Sequence, residues 1–315
     1  MNQFIEIFKK VGGRDILRQY RRAHVLLLAL VETMILGFSK KSLEIVRLAV
    51  SNRILEKMRK KYKTFISIYK EMIDKSSLCR VHSDKVWVLW LQGIEKAPVL
   101  VQKCFHSLQE NLVDREIILL TEDNYRNYVE FPDFIQEKID DGKISRTHMS
   151  DLLRLELLIN YGGTWIDATV FCSGKSYPKC ILDSELFTYQ CLKPGLDGHC
   201  TCISSWLMTS YTNHPILLLS RALLYEYWKN NNTMVDYFLL HDFFQLSIEV
   251  YPDEWNKVIP ISNSIPHILL LKLFEQYDEE TWDAIKLQTC FHKMTYKFKK
   301  EQENLNETYY DILFR

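Results

Sequence analysis

The chain has 315 residues, 47% of them hydrophobic and 13% aromatic, with only 10 glycines and 8 prolines. That is enough apolar material for one large domain with an appendage, or for two domains, and it excludes repeat, collagen-like and disordered architectures. The formal net charge is zero, yet residues 1–80 hold 18 Lys and Arg against 7 Asp and Glu, so a basic arm precedes an equally acidic body. Such an arm predicts an anionic surface partner, membrane or nucleic acid, although a solvated helical face accounts for it too.

Residues 1–80 read as helical nearly throughout. Ala23–Phe38 is the most apolar run. It falls short of the ~20 residues that span a bilayer, Glu32 interrupts it, and no small-residue cleavage site follows, so a buried or interfacial helix is expected rather than a signal peptide. Leu43, Ile45, Val46, Leu48, Ala49, Ile54 and Leu55 then recur at helical spacing. Arg59, Lys60, Lys61 and Lys63 follow. An apolar stripe beside a basic cluster suits a helix lying on anionic lipid. Packing against the body explains the stripe equally well and the cluster less well.

The character changes at Val81. Val86–Leu91 is a continuous apolar run, the pattern of a strand covered on both faces. A helix around Pro98–Glu110 and a second strand, Glu116–Leu120, complete a βαβ unit with a parallel crossover. Ligands of open α/β sheets sit beyond the carboxyl ends of such strands. Gln92, Gly93, Thr121, Glu122 and Asp123 are therefore at ligand-facing positions, although each alone reads as an ordinary loop residue. Asn124–Gly142 is polar and helix-prone. After the segment described next, the chain is mixed and turn-rich from Cys172 to Ser204. Helical spacing returns at Ile216–Trp228 and Tyr237–Ile248.

Ser150–Val170 carries the most chemistry. Thr147 or Ser150 can cap a helix. Asp151 suits its first turn, and Arg154 lies three residues on, on the same face. An intrahelical ion pair is the simplest explanation. However, Leu152, Leu153, Leu155, Leu157, Leu158 and Ile159 make the helix apolar on most sides, and a pair buried there must be satisfied by something. Gly162 and Gly163 stop the helix. In the strand that follows, alternation puts Trp165, Asp167 and Thr169 on one face and Ile166, Ala168 and Val170 on the other. Two oxygen-bearing side chains then stand side by side, as a hard divalent cation requires. The eight cysteines form no CxxC pair, so reduced thiols in a cytosolic protein are expected and a structural zinc is not.

These residues resemble sugar-nucleotide transferases of the GT-A type, and the ending Asp167-Ala168-Thr169 is similar to the bacterial capsular polysaccharide synthesis family. Trp87–Gly93, Asp236–His241, Ser262–His267 and His292–Lys297 are similar to it as well, so the resemblance covers most of residues 81–297 in order. It implies an α/β, Rossmann-like GT-A domain over residues 81–315 behind a basic helical segment, residues 1–80. It implies a hexosyltransferase-like enzyme that moves a sugar, with retention, from a nucleotide donor such as a UDP-sugar to a polysaccharide or lipid-linked glycan. Such an enzyme would be cytoplasmic and peripheral at the inner face of the cell membrane, with no nucleic-acid partner. A non-catalytic nucleotide-sugar-binding or scaffold protein is the alternative. At the catalytic centre the resemblance implies Asp151, Arg154 and Asp167. Around the nucleotide sugar it adds Trp90, Gln92, Gly93, Gly162, Gly163 and Lys293. Around a divalent cation, Mn or Mg, it implies Asp167, Thr169, His267 and His292. Thr169 departs from the family pattern, which usually has a second aspartate there, and a hydroxyl is the weaker ligand. Glu156 is expected on the helix surface, and no side chain is expected to act as nucleophile.

Overall fold

This computed structural model describes residues 13–192 and 200–315, and the described residues begin with three helices. They are α1 (Gly13–Arg22), α2 (Leu26–Leu36) and α3 (Lys40–Lys75). The first twelve residues of the expected basic segment lie outside the described residues. Ser39 caps α3 by accepting from the Ser42 backbone N–H. Of the expected α3 stripe, Val46, Ile54 and Leu55 are buried, together with Val50, Met58 and Tyr62, in the same core as α7 (Pro215–Asn230) and α8 (Leu239–Val250), whereas Leu43, Leu48 and Ala49 are half-buried and Ile45 is exposed. Arg59 grips Glu249 of α8 through two bonds of 2.8 and 2.7 Å. Part of the basic cluster therefore docks the helix on the body, while Lys60 and Lys63 are exposed. Helix α2 is different. Only Ala29 is buried, and Leu27, Met34 and Ile35 are 76%, 73% and 73% exposed. Among the described residues no helix is long and apolar enough to cross a membrane.

The expected βαβ unit is present. Strand β1 (Lys85–Leu89) pairs in parallel with β2 (Glu116–Leu120), and α4 (Val99–Asn111) joins them. β1 also pairs in parallel with β3 (Gly163–Ile166). The central sheet has the order β2-β1-β3-β6-β5, and its last two strands run antiparallel to their neighbours. These are β5 (Leu186–Gln190), inside the stretch whose sequence reads as turn-rich, and β6 (Ile203–Ser210), which begins at its end. Their buried Thr188, Ser204, Thr209 and Ser210 hide the strand pattern. A second sheet pairs β4 (Val170–Cys172) with β7 (Phe291–Lys293).

Alternation along the strands builds two cores. Trp87, Trp165 and Met208 pack with α5 (Asp133–Asp140), α6 (Arg146–Tyr161), α7 and α8. Val86, Val88, Ile166 and Leu207 pack with Val101, Phe105 and Leu108 of α4. The sheet is covered on both faces, as its apolar runs require. The cap of α6 is Ser145, whose hydroxyl accepts from the His148 N–H at 3.2 Å, rather than Thr147 or Ser150. Gly162 (φ +68°) ends that helix. Gly163 (φ +90°) starts β3 so close to β1 that a Cβ would lie 2.3 Å from the Lys85 carbonyl oxygen.

Candidate active site

Because β1, β2 and β3 are parallel, their carboxyl ends share one edge of the sheet. Trp90, Gln92 and Gly93 follow β1 there, Thr121 and Glu122 follow β2, and Asp167 follows β3. Gly162 and Gly163 lie at the other end of β3, roughly 13 Å away at the usual rise per strand residue. The expectation that they touch the nucleotide sugar is corrected: they stop α6 and let β3 fit against β1.

The strand does not continue through Thr169 as alternation predicts. The Asp167 N–H still donates to the Trp206 carbonyl (2.8 Å), the Val170 N–H then closes a turn onto the Asp167 carbonyl (3.0 Å), and the chain enters the second sheet. Asp167 and Thr169 nevertheless converge, on Lys293. Its ammonium donates to Asp167 Oδ2 at 2.8 Å and to Thr169 Oγ1 at 2.7 Å. Strand pairing positions it, since Lys293 is opposite Val170 and the Met294 N–H donates to the Thr169 carbonyl at 2.9 Å.

Behind this trio a polar chain runs into the core. Asp167 Oδ1 accepts from Trp165 Nε1 (2.9 Å) and from Arg154 Nη2 (3.3 Å). Arg154 Nη1 donates to Asp151 Oδ1 (2.9 Å), and the guanidinium lies over the Trp165 ring, 4.8 Å from its centre. Asp151 Oδ2 is 3.3 Å from His148 Nδ1, and His148 Nε2 is 2.9 Å from Trp228 Nε1. An indole nitrogen only donates, so His148 Nε2 must accept. That fixes the tautomer: His148 carries its proton on Nδ1 and gives the hydrogen bond to Asp151.

Arg154 is only 3% exposed, so it cannot reach far toward a ligand. It holds two carboxylates at a fixed separation. Asp167, at 30% side-chain exposure, and Lys293, at 18%, are the open members of the cluster. Burial pushes the Asp167 carboxyl up, but the charges of Lys293 and then Arg154 outweigh it and hold the group below the usual range. At Asp151 burial is likewise outweighed, by the His148 hydrogen bond and the Arg154 charge. Both carboxylates are thus kept ionised.

The residues expected around a divalent cation do not assemble. His292 is fully buried on the other side of β7 from Lys293, its Nε2 2.8 Å from Ser173 Oγ. His267 donates from Nδ1 to the Asn263 carbonyl at 2.8 Å and meets neither Asp167 nor Thr169. Among the described residues no group of three or more His, Cys, Asp and Glu side chains could hold a metal ion. One carboxylate and one hydroxyl, both already engaged by an ammonium, would leave a hard dication to take its remaining oxygens from water and substrate phosphates.

Elsewhere on the edge, the buried Trp90 Nε1 has no hydrogen-bond partner among the described residues, and its ring meets Tyr296 edge-on at 5.6 Å. Gln92 is exposed and Gly93 turns the chain at φ +81°; topology alone brings them to this edge. His148, Trp228 and His241 are members that reading the sequence did not assign. His241 lies within electrostatic reach of Asp151 and Arg154; burial first, with Arg154 adding and Asp151 opposing, brings it down to about 4. Its Nδ1 is buried without a partner. The Asp236–His241 motif was the only signal for it. Glu156 is buried instead of lying on the surface. It ties α6 to α7 by accepting from Arg221 Nη1 (2.9 Å) and the Tyr225 hydroxyl.

The family model described as "Capsular polysaccharide synthesis protein" matches residues 36–313. The curated O-glycosyltransferase braB of Annulohypoxylon truncatum is 37% identical over 101 residues, which cover 29% of this chain and 24% of that protein. The match thus spans about a quarter of that relative's length. Among solved structures, the PaToxG glycosyltransferase aligns at 12% identity and a TM-score of 0.38, over 85% of this chain and 96% of that one.

Proposed function

This chain belongs to the capsular polysaccharide synthesis protein family, and from that premise we propose that it is a glycosyltransferase of GT-A type that takes its sugar from a nucleotide-sugar donor. The observation that carries the proposal is the cluster Asp151–Arg154–Asp167–Lys293 at the carboxyl edge of the parallel strands. In open α/β sheets that edge is where nucleotides sit.

Asp167, which is ionised and partly open, is suited to accept hydrogen bonds from ribose or sugar hydroxyls. Lys293 is suited to the diphosphate. In transfer, the bond between the anomeric carbon and the diphosphate oxygen breaks, and its electron pair leaves with the diphosphate. The acceptor hydroxyl oxygen forms the new bond to that carbon. Charge placed in advance beside the leaving group is the main protein lever on such a step. No side chain of the cluster is placed as a free nucleophile. Retention then runs by a front-face path rather than by double displacement, with the departing phosphate oxygen taking the acceptor proton.

A UDP-sugar donor and a lipid-linked glycan acceptor complete the reading. Attachment to an anionic membrane surface, the cytoplasmic leaflet, is assigned to α2 and its flanks. Leu27, Met34 and Ile35 offer apolar side chains to a bilayer, and Arg21, Arg22, Lys40 and Lys41 flank them with positive charge. The chain should float with vesicles that contain anionic phospholipid, and replacing Leu27, Met34 and Ile35 by Glu should release it; flotation unchanged by the triple replacement contradicts that assignment.

Calorimetric titration with a panel of nucleotide sugars tests the donor site. One donor should bind the wild type and lose at least tenfold in affinity to Asp167→Asn. Binding without turnover would support the non-catalytic scaffold, which Thr169 in place of the usual second aspartate leaves open. Binding unaffected by Asp167→Asn would refute the site.

A further inference from the structure

We propose that Lys293 is a built-in cation, so that its ammonium takes both the position and the role of a divalent ion at the donor diphosphate. The inference rests on the donor-site reading above and concerns how that site handles charge.

Three observations carry it. The ammonium lies between the two oxygen ligands that the Asp-Ala-Thr sequence supplies, 2.8 Å from Asp167 Oδ2 and 2.7 Å from Thr169 Oγ1. An ammonium has three N–H donors. These two bonds use two of them and leave the third for a ligand oxygen. The site is also balanced for a single charge. Asp151 and Asp167 face Arg154 and Lys293, giving a formal sum of zero. A carboxylate at position 169 would make the cluster net negative, which suits a dication. A hydroxyl adds no charge and suits a lysine. Thr169 and Lys293 thus form one arrangement: the neutral side chain keeps the cluster from becoming net negative, so that the free N–H of the ammonium can still take a phosphate oxygen. Finally, Lys293 is held by strand pairing rather than at the end of a loop. β7 pairs with β4, and the Met294 N–H fastens the Thr169 carbonyl. A charge fixed in advance needs no reorganisation when the leaving group departs. Lys293 supplies charge and a hydrogen bond only, and the acceptor proton still ends on the diphosphate.

Calorimetry on the full-length chain decides the matter, with Mn²⁺ and inorganic pyrophosphate as separate probes. The wild type is expected to show no stoichiometric Mn²⁺ binding and to bind pyrophosphate in excess EDTA. Lys293→Arg should keep that binding, and Lys293→Met should weaken it roughly tenfold to a hundredfold, the effect of removing one charged hydrogen bond, with an unchanged circular dichroism spectrum. One Mn²⁺ bound by the wild type and lost in Asp167→Asn would overturn the proposal. So would pyrophosphate binding that requires Mn²⁺ or is indifferent to Lys293→Met. Should Lys293→Met fail to fold, the wild-type titrations still decide. If pyrophosphate binds through Lys293 while no nucleotide sugar binds, the donor-site reading fails and the lysine anion site stands.

Discussion

Arg154 serves two carboxylates with one planar group, and that is why this position calls for arginine. Its two Nη atoms reach Asp151 and Asp167 from opposite sides, and its plane rests on Trp165. Lysine keeps the charge but concentrates it at one point. Arg154→Lys should therefore hold one carboxylate and release the other, lowering kcat/KM at least tenfold; an unchanged value would show that the bridge does not matter. Trp228 acts further back. Through His148 it orients Asp151 without touching the open part of the site. Trp228→Phe keeps an aromatic ring but removes the donor and part of a fully buried side chain, at a stability cost of about 1 kcal/mol for the hydrogen bond and more for the space left. It should lower kcat several-fold while KM for the donor stays close to wild type, and a change in KM alone would contradict the positioning role. Asp151, Arg154 and Asp167 were legible in the sequence because charges inside an apolar helix and at the end of an apolar strand need partners. Trp228 and His148 were not, since 80 residues separate two partners that meet only in the folded chain.

At the scale of elements, β1, α4 and β2 follow from their apolar runs, and the structure matches them to within a few residues. Three strands escaped, the short β7 and also β5 and β6, which bury threonines and serines that bond to Thr164 of β3 and to backbone. Alternation also ran past its limit at Asp167. It assumes an extended chain, whereas the backbone turns there to change sheets. Thr169 still reached Asp167, through the turn and Lys293. The Gly162–Gly163 pair belongs to this scale. Both were read as helix stop and ligand contact together, and only the first holds. Gly163→Ala would force a Cβ to within 2.3 Å of the Lys85 carbonyl oxygen at a positive φ. It should cost about 3 kcal/mol or more and lower the melting temperature sharply. A melting temperature within a degree of wild type would refute the close packing of β3 on β1.

Across the whole molecule, α3 does not stand apart from the sheet domain, because its buried face shares the main core. The apolar stripe predicted either membrane contact or core packing, and a sequence cannot tell which surface meets it; α2 exposes Leu27, Met34 and Ile35, and α3 itself exposes Ile45, Ile68 and Met72. Stability should depend on pH through buried histidines. Burial pushes His292 down to about 3, and burial with the nearby Arg80 does the same for His214, also to about 3. Both lie below the ordinary value near 6.5. Below about 6.5 the unfolded chain binds protons that the folded chain refuses, so stability is lost as pH falls from there toward 3, by roughly 1.4 kcal/mol per pH unit for each histidine. The melting temperature should drop between pH 7 and pH 5, and His292→Gln should make that slope shallower; an identical slope would contradict the assignment.

Turnover tests the central claim most directly. The full-length chain is incubated with a panel of nucleotide sugars, and released or transferred sugar is followed over time. The account predicts that one donor is consumed by the wild type and that Asp167→Asn, still folded, consumes none. Failure of the wild type to turn over any donor, or equal consumption by Asp167→Asn, would contradict it.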